Sequence, residues 1–209
     1  MSNVEHTMEI RVNKGKVGFV YVDKGEDQYY SQFGYLKGTS KWTKVLQPDQ
    51  YGNYAVDVYP SEDDLNHIKD IATEIANDAK ELVEGAGKQV KMVNDVSKFD
   101  QEDVEYIQFK RKASKQDGSD VPPPKIYDAG GTHVADWNKL VGNGSTVKVG
   151  YTLTPYYMAA TKTVGVSFKF YAIQIIKLSE YTGGTGGGSG GFGDETDSND
   201  APFDGGEDF

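Results

Sequence analysis

The chain has 209 residues, 22 of them basic and 32 acidic, for a formal net charge of −10, and it has no cysteine. That excludes a disulfide framework, a thiolate zinc site and a cysteine nucleophile, and fits a reducing compartment. The start, MSNVEHTMEIRVNKGK, lacks an apolar signal core and nowhere do eighteen apolar residues run together, so neither export nor a membrane span is expected.

Three strands come first: KVGFVYV (16–22), YYSQFGYLKG (29–38) and YAVDVYP (54–60), together rich in Val, Tyr and Phe. KGTSKWTK (37–44) reads as a hairpin or loop with Trp42 set among Lys37, Lys41 and Lys44. The next segment is a helix. Ser61 is placed to cap it, Asp64 sits three residues on, and Glu62, Asp63 and Asp64 suit the positive end of the helix dipole. Leu65, Ile68, Ile71, Ile75, Ala79 and Leu82 form an apolar stripe, and Gly85 is expected to end it. Three more strands follow: VEYIQFKRKA (104–113), TVKVGYTLTPYY (146–157) and VGVSFKFYAIQIIKL (164–178).

Residues 183–209 differ in kind, with ten glycines, seven carboxylates, no Lys or Arg, and a final Phe209. Such a segment buries too little apolar surface to offset its ordering entropy, so a flexible acidic tail is expected after one domain over 1–182. Strands, a helix and strands again in about 180 residues indicate a mainly β chain, a single antiparallel barrel or sandwich bridged by a helix. The five-stranded Greek-key OB barrel, with its helix between the third and fourth strands, matches this order. A jelly roll or another sandwich fits the periodicity as well.

Net acidity argues against a phosphate-rich partner, but the charge is unevenly spread. Residues 61–103 carry five basic and twelve acidic groups, whereas 104–182 carry ten and six. Alternation in VEYIQFKRKA puts Ile107 and Phe109 on one side and Tyr106, Gln108, Lys110 and Lys112 on the other. In TVKVGYTLTPYY the inward set is Val147, Val149, Tyr151 and Leu153, and the outward set includes Lys148, Thr152, Thr154 and Tyr156. Tyrosines beside lysines suit single-stranded nucleic acid, because bases stack on rings while cations follow the phosphates. They are also ordinary outer-face residues of an amphipathic strand. Trp42 with Lys41 and Lys44 offers a second stacking platform, although tryptophans also anchor cores and hairpin ends.

Catalytic readings find little support. His6, His67 and His133 are scattered and lack metal-ligand spacing, and the Gly-Lys pair in VEGAGKQ follows a helix, where a phosphate loop would precede one. Asp63 and Asp64 are explained by the helix start. No catalytic residue, metal or cofactor is expected.

The run GNGSTVKVGYTLTPYY, then VGVSFKF, IQIIKLSEY and a Gly-rich acidic tail ending EDF, resembles the single-stranded DNA-binding proteins of tailed bacteriophages. YAVDVYP leading into the helix and FKRKAS keep the same order, so the resemblance spans roughly residues 50–209. It implies an OB fold, no enzymatic activity, and DNA contacts by Lys110, Lys148 and Tyr156, the residues that alternation already turned outward. It further implies work in replication, recombination and repair in the bacterial host cytoplasm. Replication proteins such as a polymerase or helicase-primase would be met through the tail residues Asp204, Glu207, Asp208 and Phe209. Exposed strand edges and the tail would permit a homodimer. A flexible tail of this length has an r.m.s. span of roughly 30 Å, against a radius of gyration of about 16 Å for the body, so it can reach its own groove. The alternative from another class is a β-rich carbohydrate-binding or structural module, and a nuclease comes third.

Overall fold

The computed structural model describes residues 7–24, 28–93 and 96–179. His6, the tail residues Asp204, Glu207, Asp208 and Phe209, and the domain boundary at 182 lie outside the described residues.

The strands and the helix in chain order are β1 (Met8–Asn13), β2 (Lys16–Tyr21), β3 (Gln32–Lys44), β4 (Asn53–Pro60), α1 (Glu62–Gly85), β5 (Lys91–Met92), β6 (Lys98–Phe99), β7 (Glu105–Lys112), β8 (Lys125–Tyr127), β9 (Thr146–Met158) and β10 (Thr163–Lys177). β1 and β2 form an antiparallel ribbon. The larger sheet runs in the order β5-β10-β9-β3-β4-β7-β6, with β8 added alongside β10. Its five long strands, β10-β9-β3-β4-β7, pair antiparallel throughout. The path curls until its ends meet, and the ring centroids of Phe109 on β7 and Phe168 on β10 are 6.0 Å apart. No β7–β10 ladder joins them among the described residues, so the sheet is strongly curved but not closed by hydrogen bonds. The bare edges of β7 and β10 face each other across this seam, and β5, β6 and β8 cover other parts of the same edges.

The core lies inside the curl. Val56 and Val58 of β4, Ile107 and Phe109 of β7, Val147, Val149 and Leu153 of β9, and Phe170 and Ile173 of β10 are all buried, as period-2 alternation requires. Each such side chain contributes roughly 1.5–3 kcal/mol through the water it leaves. Helix α1 packs against β1, β5, β9 and β10. Ser61 Oγ accepts from the Asp64 backbone N–H at 3.2 Å and donates to the Asp64 carboxylate at 2.7 Å, which is the expected cap.

The helix differs from expectation in two respects. Its buried residues are Leu65, Ile68, Ala72, Ile75, Ala76, Ala79 and Val83, while Ile71 and Leu82 lie at the margin, so the apolar stripe is rotated toward its alanines. Small residues there let the helix approach the sheet closely. Gly85 is still helical, and the stop is Gly87, at φ +74, beyond which the Lys88 N–H reaches back to the Val83 carbonyl at 3.2 Å.

The segment 37–44 is neither hairpin nor loop. It continues β3 as one 13-residue strand. Gly38 does not turn the chain: a Cβ there would lie 2.3 Å from the Tyr59 carbonyl oxygen, so the glycine lets β3 and β4 approach. The register then shifts between Ser40 and Trp42, making Lys41 the extra residue of a bulge.

Candidate nucleic-acid interface

The ladder registers carry one outward face across the sheet. On β9 the outward residues are Lys148, Gly150, Thr152, Thr154 and Tyr156; Lys148 stands opposite Lys37, Gly150 opposite Tyr35, and Thr152 opposite Phe33 on β3. Beyond the bulge, Trp42 stands opposite Asp57 and Lys44 opposite Ala55. Ala55 in turn faces Lys110, Asn53 faces Lys112 and Asp57 faces Gln108. Lys110, Lys112, Lys148, Trp42, Lys44, Tyr106 and Tyr156 thus belong to a single wall. Lys44, Lys110, Lys112 and Lys148 are exposed, and Trp42, Tyr106 and Tyr156 are half-buried.

The wall is long. Eight residues separate Lys148 from Tyr156 along β9, roughly 26 Å at the rise of a strand, so the two do not form one focal site. The Tyr156 ring lies across Gly165 of β10, where a Cβ would sit 2.6 Å from its hydroxyl.

Around Gly150 the wall carries a cluster of rings. The Tyr171 side chain lies over Gly150, where a Cβ would be 3.0 Å from its Cζ. Alternation from the inward Phe168 and Phe170 turns Tyr171 to this side, and as the extra residue of a bulge between Phe170 and Ala172 it sits beside Gly150. The Phe33 ring meets it edge-on at 5.9 Å between centroids, and the Lys148 ammonium stands 5.0 Å from the centroid of Tyr35. Phe33 and Tyr35 are 68% and 66% exposed. Burial and a hydrogen bond with Tyr35 push the Tyr171 phenol up to about 12, so it remains neutral near physiological pH. An open cavity of about 290 Å³ adjoins the cluster, lined by Tyr35, Tyr127, Lys148, Tyr171 and Gln174. Among the described residues, neither Lys37 nor Lys148 is paired with a carboxylate.

A second cluster joins β3, β4 and β7. Tyr59 and Tyr106 meet edge-on at 5.9 Å, and the Lys41 ammonium lies 5.4 Å and 5.6 Å from their centroids. Here the cation is already engaged, because Lys41 Nζ donates to Asp100 Oδ2 at 2.7 Å. That bond holds the Lys41 pKa above its ordinary value and, with the Tyr59 hydroxyl, holds the Asp100 carboxyl well below the usual range. Nearby, Asp57 accepts from Gln108 Nε2 at 2.9 Å, and burial raises its pKa.

Rings and cations on one exposed, curved surface can stack bases and follow phosphates. Of these residues only Lys148 is among the site residues expected from the sequence; Phe33, Tyr35, Lys37 and Tyr171 are additions. Alternation along β3 already puts Phe33, Tyr35 and Lys37 on one side. Tyr171 carried the same signal, since the inward Phe168 and Phe170 leave Lys169 and Tyr171 on the outer side. Among the described residues no group of three His, Asp or Glu side chains is arranged to hold a metal.

No family model matches the chain, and no curated protein matches it in sequence. Solved structures do match. Gp2.5, a single-stranded DNA-binding protein encoded by bacteriophage T7, superimposes with a TM-score of 0.56 at 24% identity, over 75% of this chain and 92% of that one. The single-stranded DNA-binding protein from bacteriophage Enc34 matches at a TM-score of 0.45 and 12% identity, over 87% and 96% of the two chains. Its complex with single-stranded DNA matches at 0.47 and 12%, over 86% and 99%. The gp2.5 likeness establishes the fold: a mainly β, OB-like sheet with one long helix.

Proposed function

We propose that the chain is a bacteriophage single-stranded DNA-binding protein, coating exposed strands without reading their sequence and catalysing no reaction. The observation that carries this reading is the Gly150 cluster, where two rings stand about two-thirds exposed beside two lysines with no carboxylate partner among the described residues. Large rings kept in water beside cations match what a flexible strand of bases and phosphates requires. The fold shared with gp2.5 supports it further.

The curled path β10-β9-β3-β4-β7 is read as a five-stranded OB barrel of Greek-key type, with β7 and β10 along its seam. The work is assigned to replication, recombination and repair in the cytoplasm of the bacterial host. The acidic tail competes with DNA for the wall and, once displaced, offers Asp204, Glu207, Asp208 and Phe209 to a polymerase or helicase-primase. Homodimers form through the tail or through strand edges outside the β7–β10 seam.

A fluorescent oligothymidylate titrated at several salt concentrations tests the reading. Affinity should fall steeply with ionic strength, and removing residues 183–209 should raise it. Affinity that is flat in salt would point instead to the carbohydrate-binding or structural module.

A further inference from the structure

Asp100 is fixed more firmly than its position in a surface turn requires. Its Oδ2 accepts from Lys41 Nζ at 2.7 Å and from the Tyr59 hydroxyl, and its Oδ1 accepts from the backbone N–H groups of Glu102 and Val104 at 2.8 and 2.9 Å. The turn closes through the Asp100 N–H to the Val104 carbonyl at 3.1 Å, with Asp103 at φ +57. The Asp100 side chain is 8% exposed and that of Lys41 36%. A largely covered carboxylate is thus held against a lysine that stands over two tyrosine rings.

A carboxylate and a phosphodiester offer an ammonium the same kind of anionic oxygen. We propose that Asp100 occupies the place of a DNA phosphate on Lys41, withholding that lysine from the strand and limiting affinity at this end of the wall. The inference rests on the reading of the wall as a single-strand site. Lys41 and Asp100 cancel in charge, so the pair adds no counterion release, whereas Lys148, Lys110 and Lys44 do. If Lys41 swung out, it would leave a poorly solvated carboxylate behind, which keeps it in place when DNA arrives.

The test uses the full chain and the fluorescent oligothymidylate between about 50 and 200 mM salt. Salt-dependent binding by the unaltered protein upholds the wall reading, and its absence sinks that reading whatever the variants do. Asp100→Asn keeps an amide oxygen for the Glu102 and Val104 N–H groups. It should bind more tightly, with a log–log salt slope steeper by about 0.7, an advantage that shrinks roughly 2.5-fold across this range. Glu102→Gln, which removes an exposed carboxylate from the same turn, should leave the slope unchanged. Lys41→Met leaves the turn intact; it should weaken binding by uncovering Asp100, without altering the slope. The double variant Lys41→Met/Asp100→Asn should bind within twofold of the original protein. An unchanged slope in folded Asp100→Asn, a slope lowered by about 0.7 in Lys41→Met, or a double variant more than twofold weaker would each overturn the proposal. Thermal melts show whether each variant is folded.

Discussion

Two places on one sheet face set a lysine over a tyrosine ring, Lys148 over Tyr35 and Lys41 over Tyr59 and Tyr106. At the first the ring is two-thirds exposed, and Lys148 has no carboxylate partner among the described residues. At the second the rings are half-buried and the ammonium is bonded to Asp100. The ingredients match and the availability does not. A tyrosine beside a lysine is therefore open to a ligand only where the local charge balance leaves the cation over; where a carboxylate completes it, the same pair is a structural joint.

Substitutions at the two clusters should separate these roles. The largest loss is expected from Tyr35→Ala combined with Phe33→Ala, at roughly 1–3 kcal/mol for each base that no longer stacks. Oligothymidylate affinity should fall tenfold or more while the melting temperature holds. Tyr59→Ala should do the reverse, lowering the melting temperature through its lost bond to Asp100 and changing affinity little. Equal affinity losses at the two tyrosines would erase the contrast.

Lys148→Ala should come next, reducing the magnitude of the salt slope by about 0.7, a change Lys41→Met should not produce. A smaller effect is expected from Gly150→Ala. Its new methyl would meet the Tyr171 ring at 3.0–3.1 Å, so the ring must shift and binding should weaken less than on losing Tyr35. The smallest effect is one of pH. The Asp100 pKa is depressed on folding, so its stabilisation is complete above the ordinary carboxylate range near pH 4 and fades as pH falls below it. Melting of the original protein and Asp100→Asn should differ most above about pH 5 and draw together only gradually as the pH falls well below the ordinary carboxylate range, toward the strongly depressed folded-state value.

Much of this was legible in the sequence, for an identifiable reason. Val147, Val149, Tyr151 and Leu153 alternate with Lys148, Thr152 and Thr154, and a period of two fixes which side of a strand is dry without any tertiary information. The helix cap at Ser61 was local and equally readable. Expectation failed where a residue answers to a distant neighbour. The stretch 37–44 looked like a hairpin or loop because the reason for Gly38, the Tyr59 carbonyl, lies on another strand. Trp42 reaches the wall only because the bulge at Lys41 shifts the register, and that shift has no sequence mark. Asp100 is 59 residues from Lys41, so nothing nearby announced that this cation was already occupied.

The seam between β7 and β10 bears on life along a polymer. Proteins lined up on one strand meet their own copies at very high local concentration, where a long naked strand would fuse neighbours into continuous sheets. Here the two vulnerable borders are turned inward toward each other and patched elsewhere by short pieces. If the chain coats strands as proposed, crowded copies can then slide, pack and leave again as separate molecules.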